Sequence, residues 1–333
     1  MEARVTLAHG DGGLATRRLV ADLFVAKLAN PALEQGGDSA VLDWPGPGRL
    51  AMTTDSFVVS PIFFPGGDLG HLAVCGTVND LAVAGAKPLW LTAGFILEEG
   101  FPMADLQRLV DSLAATARQA GVQIVAGDTK VVGRGQVDGC FINTAGVGVV
   151  PPGRDLGPRR IEPGMAIIVS GGIGEHGVAV LSARAGLSFE TPVVSDAAPL
   201  GEVAEAVMAA SPGLACMRDP TRGGVATAMA EIAEASGCDM VLEETMVPIA
   251  PAVAGACEML GLDPLYLACE GRMIAWCPLS EAEAVVGAMR RLRQGARVVG
   301  QVGGRGGRAF LRTSLGGTRR LEMLSGENLP RIC

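Results

Sequence analysis

Aromatic side chains are scarce in this 333-residue sequence: nine Phe, three Trp and one Tyr, 4% in all. A core of 49% apolar residues with so few rings is built from Val, Leu, Ala and Ile against 47 glycines. No collagen-like glycine period runs through it, so the composition is that of a globular α/β or α+β protein. Histidine is rarer still, with three copies, which argues against a zinc, nickel or iron centre. The eight cysteines include no C-x-x-C pair, disfavouring a zinc or disulfide framework and fitting reduced thiols in the cytoplasm. Basic residues number 27 against 35 acidic ones, a net charge of −8, so no nucleic-acid-binding face is expected. No Lys/Arg-led apolar leader opens the sequence. No apolar run is long enough to span a membrane without a charge or a Gly/Pro break. The Walker pattern G-x-x-x-x-G-K-[ST] is also absent, which excludes a P-loop enzyme.

The length suggests two domains. A Pro/Gly/Arg-rich stretch from 151 to 164 is the natural boundary, giving an expected domain over 1–152, a second over 153–325 and a mobile tail over 326–333. The tail ends Glu327-Asn328-Leu329-Pro330-Arg331-Ile332-Cys333. Pro330 lacks an N–H and pushes its neighbour towards an extended conformation. Seven extended residues span roughly 20 Å, enough to carry the Cys333 thiol into a cleft or a partner's pocket. A prenylation box needs its cysteine four from the end, and that place is taken by Pro330.

Carboxylates recur beside glycine or threonine at the expected ends of elements. Asp38 lies in a Gly-rich segment, and a strand over 49–54 is expected to end at Asp55. Asn79 and Asp80 interrupt an apolar helical pattern over 70–88. A strand over 122–126 is expected to run into Gly127-Asp128-Thr129-Lys130, and Asp219 opens Asp-Pro-Thr-Arg-Gly-Gly before a helix. A further strand over 265–270 is expected to end at Glu270. Two carboxylates 4 Å apart repel by about 4 kcal/mol at an effective dielectric near 20. If several converge, the natural resolution is Mg²⁺, a hard ion that takes oxygen ligands and bridges to phosphates. Lys130 and Arg222 would then balance charge on a transferred phosphoryl group. Gly-rich turns before helices, at Gly12 and Gly13 and at Gly223 and Gly224, could present N–H groups to phosphate. Together these point to an ATP–Mg²⁺ enzyme.

The runs Thr-Thr-Asp-Ser-Phe-Val-Val-Ser-Pro at 53–61 and Gly-Thr-Val-Asn-Asp-Leu-Ala at 76–82 resemble the superfamily of aminoimidazole ribonucleotide synthetase, selenophosphate synthetase and thiamine-monophosphate kinase. Four further runs narrow the likeness: Phe-Phe-Pro-Gly-Gly-Asp at 63–68, Ala-Gly-Asp-Thr-Lys at 126–130, the stretch from Arg218 to Thr227, and the closing Pro-Arg-Ile-Cys. Together they resemble the HypE family of carbamoyl dehydratases in hydrogenase maturation, over essentially the whole chain.

That resemblance implies an α+β, two-domain aminoimidazole ribonucleotide synthetase-like fold with a flexible C-terminal tail, and a homodimer formed through the first domain. It implies that a HypF-type carbamoyltransferase loads a carbamoyl group onto Cys333. The chain then uses ATP to dehydrate it to a thiocyanate, and the cyanide passes to iron on a HypC–HypD complex. Phosphorylation turns a poor leaving oxygen into a good one, and removal of the N–H protons calls for a base, for which Glu270 is the candidate, with Lys130 on the oxygen or the γ-phosphate. By family position Asp38, Asp55, Asp80, Asp128 and Asp219 hold Mg²⁺. Gly12, Gly13, Asn79, Gly127, Thr129, Arg222, Gly223 and Gly224 are the expected ATP and phosphate contacts. Where the family is expected to have Asn-Glu-Gly-Lys, this chain has Cys269-Glu270-Gly271-Arg272, and Cys269 reads as a buried core thiol. The competing readings are another synthetase or kinase of the superfamily, or a non-catalytic metallochaperone.

Overall fold

The computed structural model describes residues 4–10, 14–33, 39–40, 42–187, 192–292, 295–324 and 331–333. The expected sites Gly12, Gly13 and Asp38, and tail residues 325–330, lie outside them.

A helical run opens the fold as α1 (Leu14–Leu19), a wider π-type stretch (Val20–Val25) and α2 (Ala26–Leu28). Then follow β1 (Arg49–Phe57), the short strands β2 (Phe63–Phe64) and β3 (Gly67–Asp68), α3 (Leu69–Val83), β4 (Lys87–Glu98), α4 (Met103–Gln119), β5 (Gln123–Val132) and β6 (Cys140–Val150). The long strands form a sheet in the order β1-β6-β4-β5, antiparallel except for β4 with β5. Residues at alternate positions face alternate sides. Phe57, Ile142 and Phe95 therefore pack under α3 and α4. The opposite face stays open, with Leu50 58%, Met52 67% and Ile96 41% exposed.

Helix α3 is buried nearly all round, which explains its lack of an amphipathic stripe. Asp68 caps it by accepting the N–H of His71 at 2.9 Å. Gly70 lets it approach α4 closely, since a Cβ there would lie 2.2 Å from the carbonyl oxygen of Leu109. The helix is shorter than the 70–88 pattern suggests, because the chain turns at Gly85, whose φ is +78°, and enters β4 at Lys87.

The second domain contains β7 (Ala166–Val169), α5 (Glu175–Ala185), α6 (Gly201–Ala210), β8 (Cys216–Arg218), α7 (Gly224–Ser236), β9 (Cys238–Glu243), α8 (Pro251–Leu260), β10 (Ile274–Cys277), α9 (Ala282–Leu292), β11 (Arg297–Arg305), β12 (Ala309–Arg312) and β13 (Thr318–Leu321). Its seven strands run in the order β13-β12-β9-β11-β7-β10-β8, with Trp276 fully buried in the core. The strand expected over 265–270 does not form. A single 3₁₀ turn, Pro264–Tyr266, is followed by irregular chain, so the apolar residues there are buried without sheet pairing.

The seam between the domains runs along α3, and Asn79 is its fastener. Its amide donates to the carbonyls of Ala198 at 3.1 Å and Glu270 at 3.0 Å, and its carbonyl accepts the N–H of Leu200 at 2.8 Å. At 1% exposure its polar atoms are committed to the second domain, so Asn79 is a seam residue and not the phosphate contact expected of it. Truncating it removes all three bonds and strips the buried Leu200 N–H of its acceptor, at about 1–3 kcal/mol, while the Glu270 carbonyl keeps the Ala198 N–H at 3.5 Å. Asn79→Ala should therefore lower stability by about 3 kcal/mol, read as a lower thermal-unfolding midpoint.

Candidate active site

Two of the flagged aspartates sit inside elements, not at their ends. Asp55 lies within β1, opposite Thr144 of β6, and Asp128 lies within β5, opposite Gly94 of β4. The register places Asp55 and Gly127 on the buried face of the sheet, and Asp128 and Lys130 on the open face. β1 and β5 are also opposite edges, three strand spacings or about 14 Å apart. One chain therefore does not gather all the expected ligands. Asp128 and Lys130 are exposed and pair with each other at 3.3 Å.

Asp55, Asp80, Asp219 and Glu270 do converge. Asp80, in the last turn of α3, accepts a hydrogen bond from the Thr53 hydroxyl of β1 at 2.7 Å. Asp219 follows β8 and is 5% exposed. Gly223 and Gly224, with φ of +76° and +59°, then turn the chain into α7. Gly224 has no room for a side chain, since a Cβ would lie 2.5 Å from the Leu267 carbonyl oxygen. That close approach, with the Cys269 N–H donating to the Pro220 carbonyl at 3.0 Å, brings the Glu270 segment against the Asp219 turn.

The carboxylates feel one another strongly. Burial, then Asp80, raises Asp55 above the ordinary carboxylate range. Burial, then Asp80, pushes Asp219 up to about 7. Glu270, 2% exposed, is driven well above its ordinary value by burial first and then by Asp219, Asp196, Asp55 and Asp80. Its Oε1 is buried and has no hydrogen-bond partner among the described residues. Among those residues no three acidic, Cys or His groups are close enough to ligate one ion. The donor chemistry of Asp55, Asp80 and Asp219 nevertheless fits Mg²⁺: hard oxygens whose mutual repulsion a divalent cation relieves. Arg222, exposed at the rim, acts against the rise at both Asp55 and Cys333.

Cys333 is seated in this cleft. The Val58 N–H donates to its carbonyl at 3.1 Å, and the Ser60 N–H donates to that of Arg331 at 3.2 Å, a short antiparallel ladder against the chain after β1. Burial, then Glu270 and Asp55, raises the thiol pKa, so the thiol is held protonated beside the Glu270 carboxyl. Residues 331–333 are thus docked, and the rest of the tail expected to be mobile, 326–330, lies outside the described residues. Cys269 is fully buried and accepts the Gly174 N–H at 3.3 Å on its sulfur, a core role.

A second feature left no motif in the sequence. A cavity of about 310 Å³ lies between the first helical run and β4–β5, lined by Phe24, Leu28, Phe95 and Ile124. Gly127, Asp128 and Thr129 close one wall. Its apolar residues come from segments 100 positions apart, so only the fold assembles it.

Comparisons with known proteins agree with this fold. The model of the AIR synthase related protein N-terminal domain matches residues 36–150, and that of its C-terminal domain matches residues 162–311. The carbamoyl dehydratase HypE of Rhodobacter capsulatus is 52% identical over 337 residues, covering 100% of this chain and 99% of that protein. A solved structure of hydrogenase maturation protein HypE in complex with ATP superposes with a TM-score of 0.95 at 47% identity, covering 98% of this chain and 99% of that one. The chain in a solved HypE–HypF complex gives 0.80 at 43% identity, covering 92% of this chain and 99% of that one.

A carboxyl whose folded pKa lies above its unfolded value holds an extra proton in the fold, so stability falls as pH rises across that interval. For Asp219 the interval runs from 3.8 to about 7. Asp219→Asn should raise the unfolding midpoint by several degrees at pH 8 in EDTA and flatten its fall between pH 4 and 7. It should also diminish stabilisation by added Mg²⁺. Calorimetry at several pH values checks both.

Proposed function

The chain belongs to the AIR synthase related protein family and, within it, to the HypE carbamoyl dehydratases, and from that membership we propose how its residues carry out the reaction. It is an ATP-dependent carbamoyl dehydratase of hydrogenase maturation. It dehydrates a carbamoyl group on the Cys333 sulfur to a thiocyanate, the source of the cyanide ligand on the iron of [NiFe]-hydrogenase. The observation that supports the residue assignment is the docking of residues 331–333 against Val58 and Ser60, which brings the Cys333 thiol within electrostatic reach of Glu270, a buried carboxyl whose Oε1 has no hydrogen-bond partner among the described residues.

In S–C(=O)–NH₂ the oxygen is a poor leaving group. Transfer of the γ-phosphoryl group of ATP to that oxygen lets it depart as phosphate. The C–O bond breaks, one N–H proton passes to Glu270 and the other leaves with the departing phosphate, and the carbon and nitrogen close to C≡N. The unpartnered Oε1 of Glu270 accepts a carbamoyl N–H and, once the carboxyl is ionised, takes its proton. Asp55, Asp80 and Asp219 would hold Mg²⁺, which would supply positive charge against the carboxylates and the transferred phosphoryl group. Arg222 at the rim meets developing phosphate charge, and the turn through Gly223 and Gly224 offers backbone N–H groups at the start of α7. The apolar cavity beside Thr129 suits the adenine ring.

The open sheet face with Leu50, Met52 and Ile96 is the expected place for a second copy, since an apolar patch of this kind marks an interface. Asp128 and Lys130 share that face, so in a homodimer they lie at the subunit boundary, which explains why one chain does not gather them with Asp55. A HypF-type carbamoyltransferase supplies the carbamoyl group and a HypC–HypD complex takes the cyanide, in the cytoplasm. Among the described residues no helix is long and apolar enough to cross a membrane. Selenophosphate synthetase, thiamine-monophosphate kinase and metallochaperone readings find no comparable support in the full-length matches.

The test uses the carbamoyltransferase, carbamoyl phosphate and ATP, with the mass of the C-terminal peptide as readout. Cys333→Ala should gain no carbamoyl mass. Glu270→Gln should accept the carbamoyl group but lose water at least about 100-fold more slowly. Conversion of the Glu270→Gln protein at the wild-type rate would remove Glu270 as the base.

A further inference from the structure

The dehydratase reading requires Cys333 in two places, and the way the tail is held is legible in the hydrogen bonds of its last three residues. Each of their carbonyls is taken. That of Cys333 accepts the Val58 N–H at 3.1 Å, and that of Arg331 accepts from the Ser60 N–H at 3.2 Å and the Arg184 guanidinium at 2.6 Å. That of Ile332 accepts from Nε2 of His176 at 2.8 Å. The first domain thus offers a backbone edge, and α5 of the second offers side-chain donors on the other side.

His176 is 0% exposed and its protonation pattern is fixed by its neighbours. A carbonyl only accepts, so the proton is on Nε2; Nδ1 then accepts the hydroxyl of Ser195 at 2.8 Å. The Ser195 oxygen in turn accepts the Ala197 N–H at 3.1 Å. Burial lowers the His176 pKa and keeps the ring neutral, as this single-proton pattern needs. Arg184, about two turns further along α5, also donates to the Ser60 carbonyl at 2.8 Å, joining the tail, the first domain and α5 at one point. Between these bonds Ile332, 4% exposed, packs into the core of the first domain.

We propose that His176 and Arg184 are positioning residues that clamp the tail backbone so that the Cys333 sulfur is presented to Glu270. A sulfur seated in this cleft is not open to another enzyme's active site. The tail must leave to receive its carbamoyl group and return for dehydration, so the clamp governs the second half of the cycle. The clamp grips main-chain carbonyls and leaves the sulfur unheld, so it works the same whether the thiol is free or carbamoylated.

This inference rests on the dehydratase reading for its consequence but not for its geometry, and the experiment separates the two. Wild type, His176→Leu, His176→Gln and Arg184→Gln are treated with iodoacetamide, and alkylation of Cys333 is followed on the C-terminal peptide. Dehydration is measured against carbamoyl transfer in parallel samples. His176→Leu, which takes the donor from the Ile332 carbonyl, and Arg184→Gln, which takes one from the Arg331 and Ser60 carbonyls, should each alkylate Cys333 about tenfold faster. In both, dehydration should fall relative to carbamoyl transfer. His176→Gln keeps an N–H donor and should restore much of the wild-type behaviour, which a merely space-filling histidine would not require. Wild-type alkylation rates in folded His176→Leu and in Arg184→Gln would overturn the clamp. If His176→Leu fails to fold, Arg184→Gln, altered at an exposed position, decides alone. Faster alkylation in the variants with no dehydration even in the wild type would uphold the clamp and sink the dehydratase reading.

Discussion

A carboxyl group with 2% exposure, surrounded by Asp219, Asp196, Asp55 and Asp80, is the constraint on which the rest of this structure depends. Nothing about the Glu270 segment itself favours that location: it is irregular chain after a 3₁₀ turn, and its Oε1 finds no hydrogen-bond partner among the described residues. It stays there because Asn79 holds its backbone carbonyl and because Gly224 lets the Asp219 turn come within contact distance of Leu267. The free energy for this crowding comes from apolar packing in both domains and from a seam whose polar groups are matched. A buried carboxyl left unpaired is costly unless a ligand completes it. On the proposed reading, the completing groups would be a carbamoyl nitrogen and a cation.

The same arrangement explains why the thiol comes on a tail. A sulfur fixed permanently beside Glu270 would be raised in pKa and shielded from a partner enzyme. A sulfur on a detachable strand is accepted outside and processed inside. In the docked form the Val58 and Ser60 N–H groups donate to the carbonyls of Cys333 and Arg331, so the tail is held by its backbone and not by its thiol. Opposite it stands α5, whose histidine and arginine complete the carbonyl pairing.

Much of this was legible before any fold was known, and the residues show why some of it was not. Asp55, Asp80, Asp219, Glu270 and Cys333 stood out because a carboxylate or thiol amid small residues has little reason to be there unless it does chemistry. Their convergence followed from the family likeness more than from the pattern. Asp128 and Lys130 were placed just past a strand end, whereas β5 runs on to Val132, and period-two alternation does not reveal which edge of a sheet a strand will occupy. Asn79 was read as a phosphate contact because a polar residue in an apolar helix suggests a ligand; a domain seam satisfies it equally well. The strand expected over 265–270 failed because an apolar run is also what buried irregular chain looks like. His176 and Arg184 left no motif, although one of only three histidines in the chain merited notice on scarcity alone.

The central claim is that this chain removes the oxygen of a carbamoyl group on Cys333 by way of ATP. It is tested most directly by the fate of that oxygen. Cys333 would be carbamoylated with a group carrying ¹⁸O, the protein freed of the donor, and ATP added in unlabelled water. The account predicts that the label leaves with the inorganic phosphate as the tail becomes a thiocyanate. Label that appears in water, or that remains on the tail while ATP is hydrolysed, would contradict it.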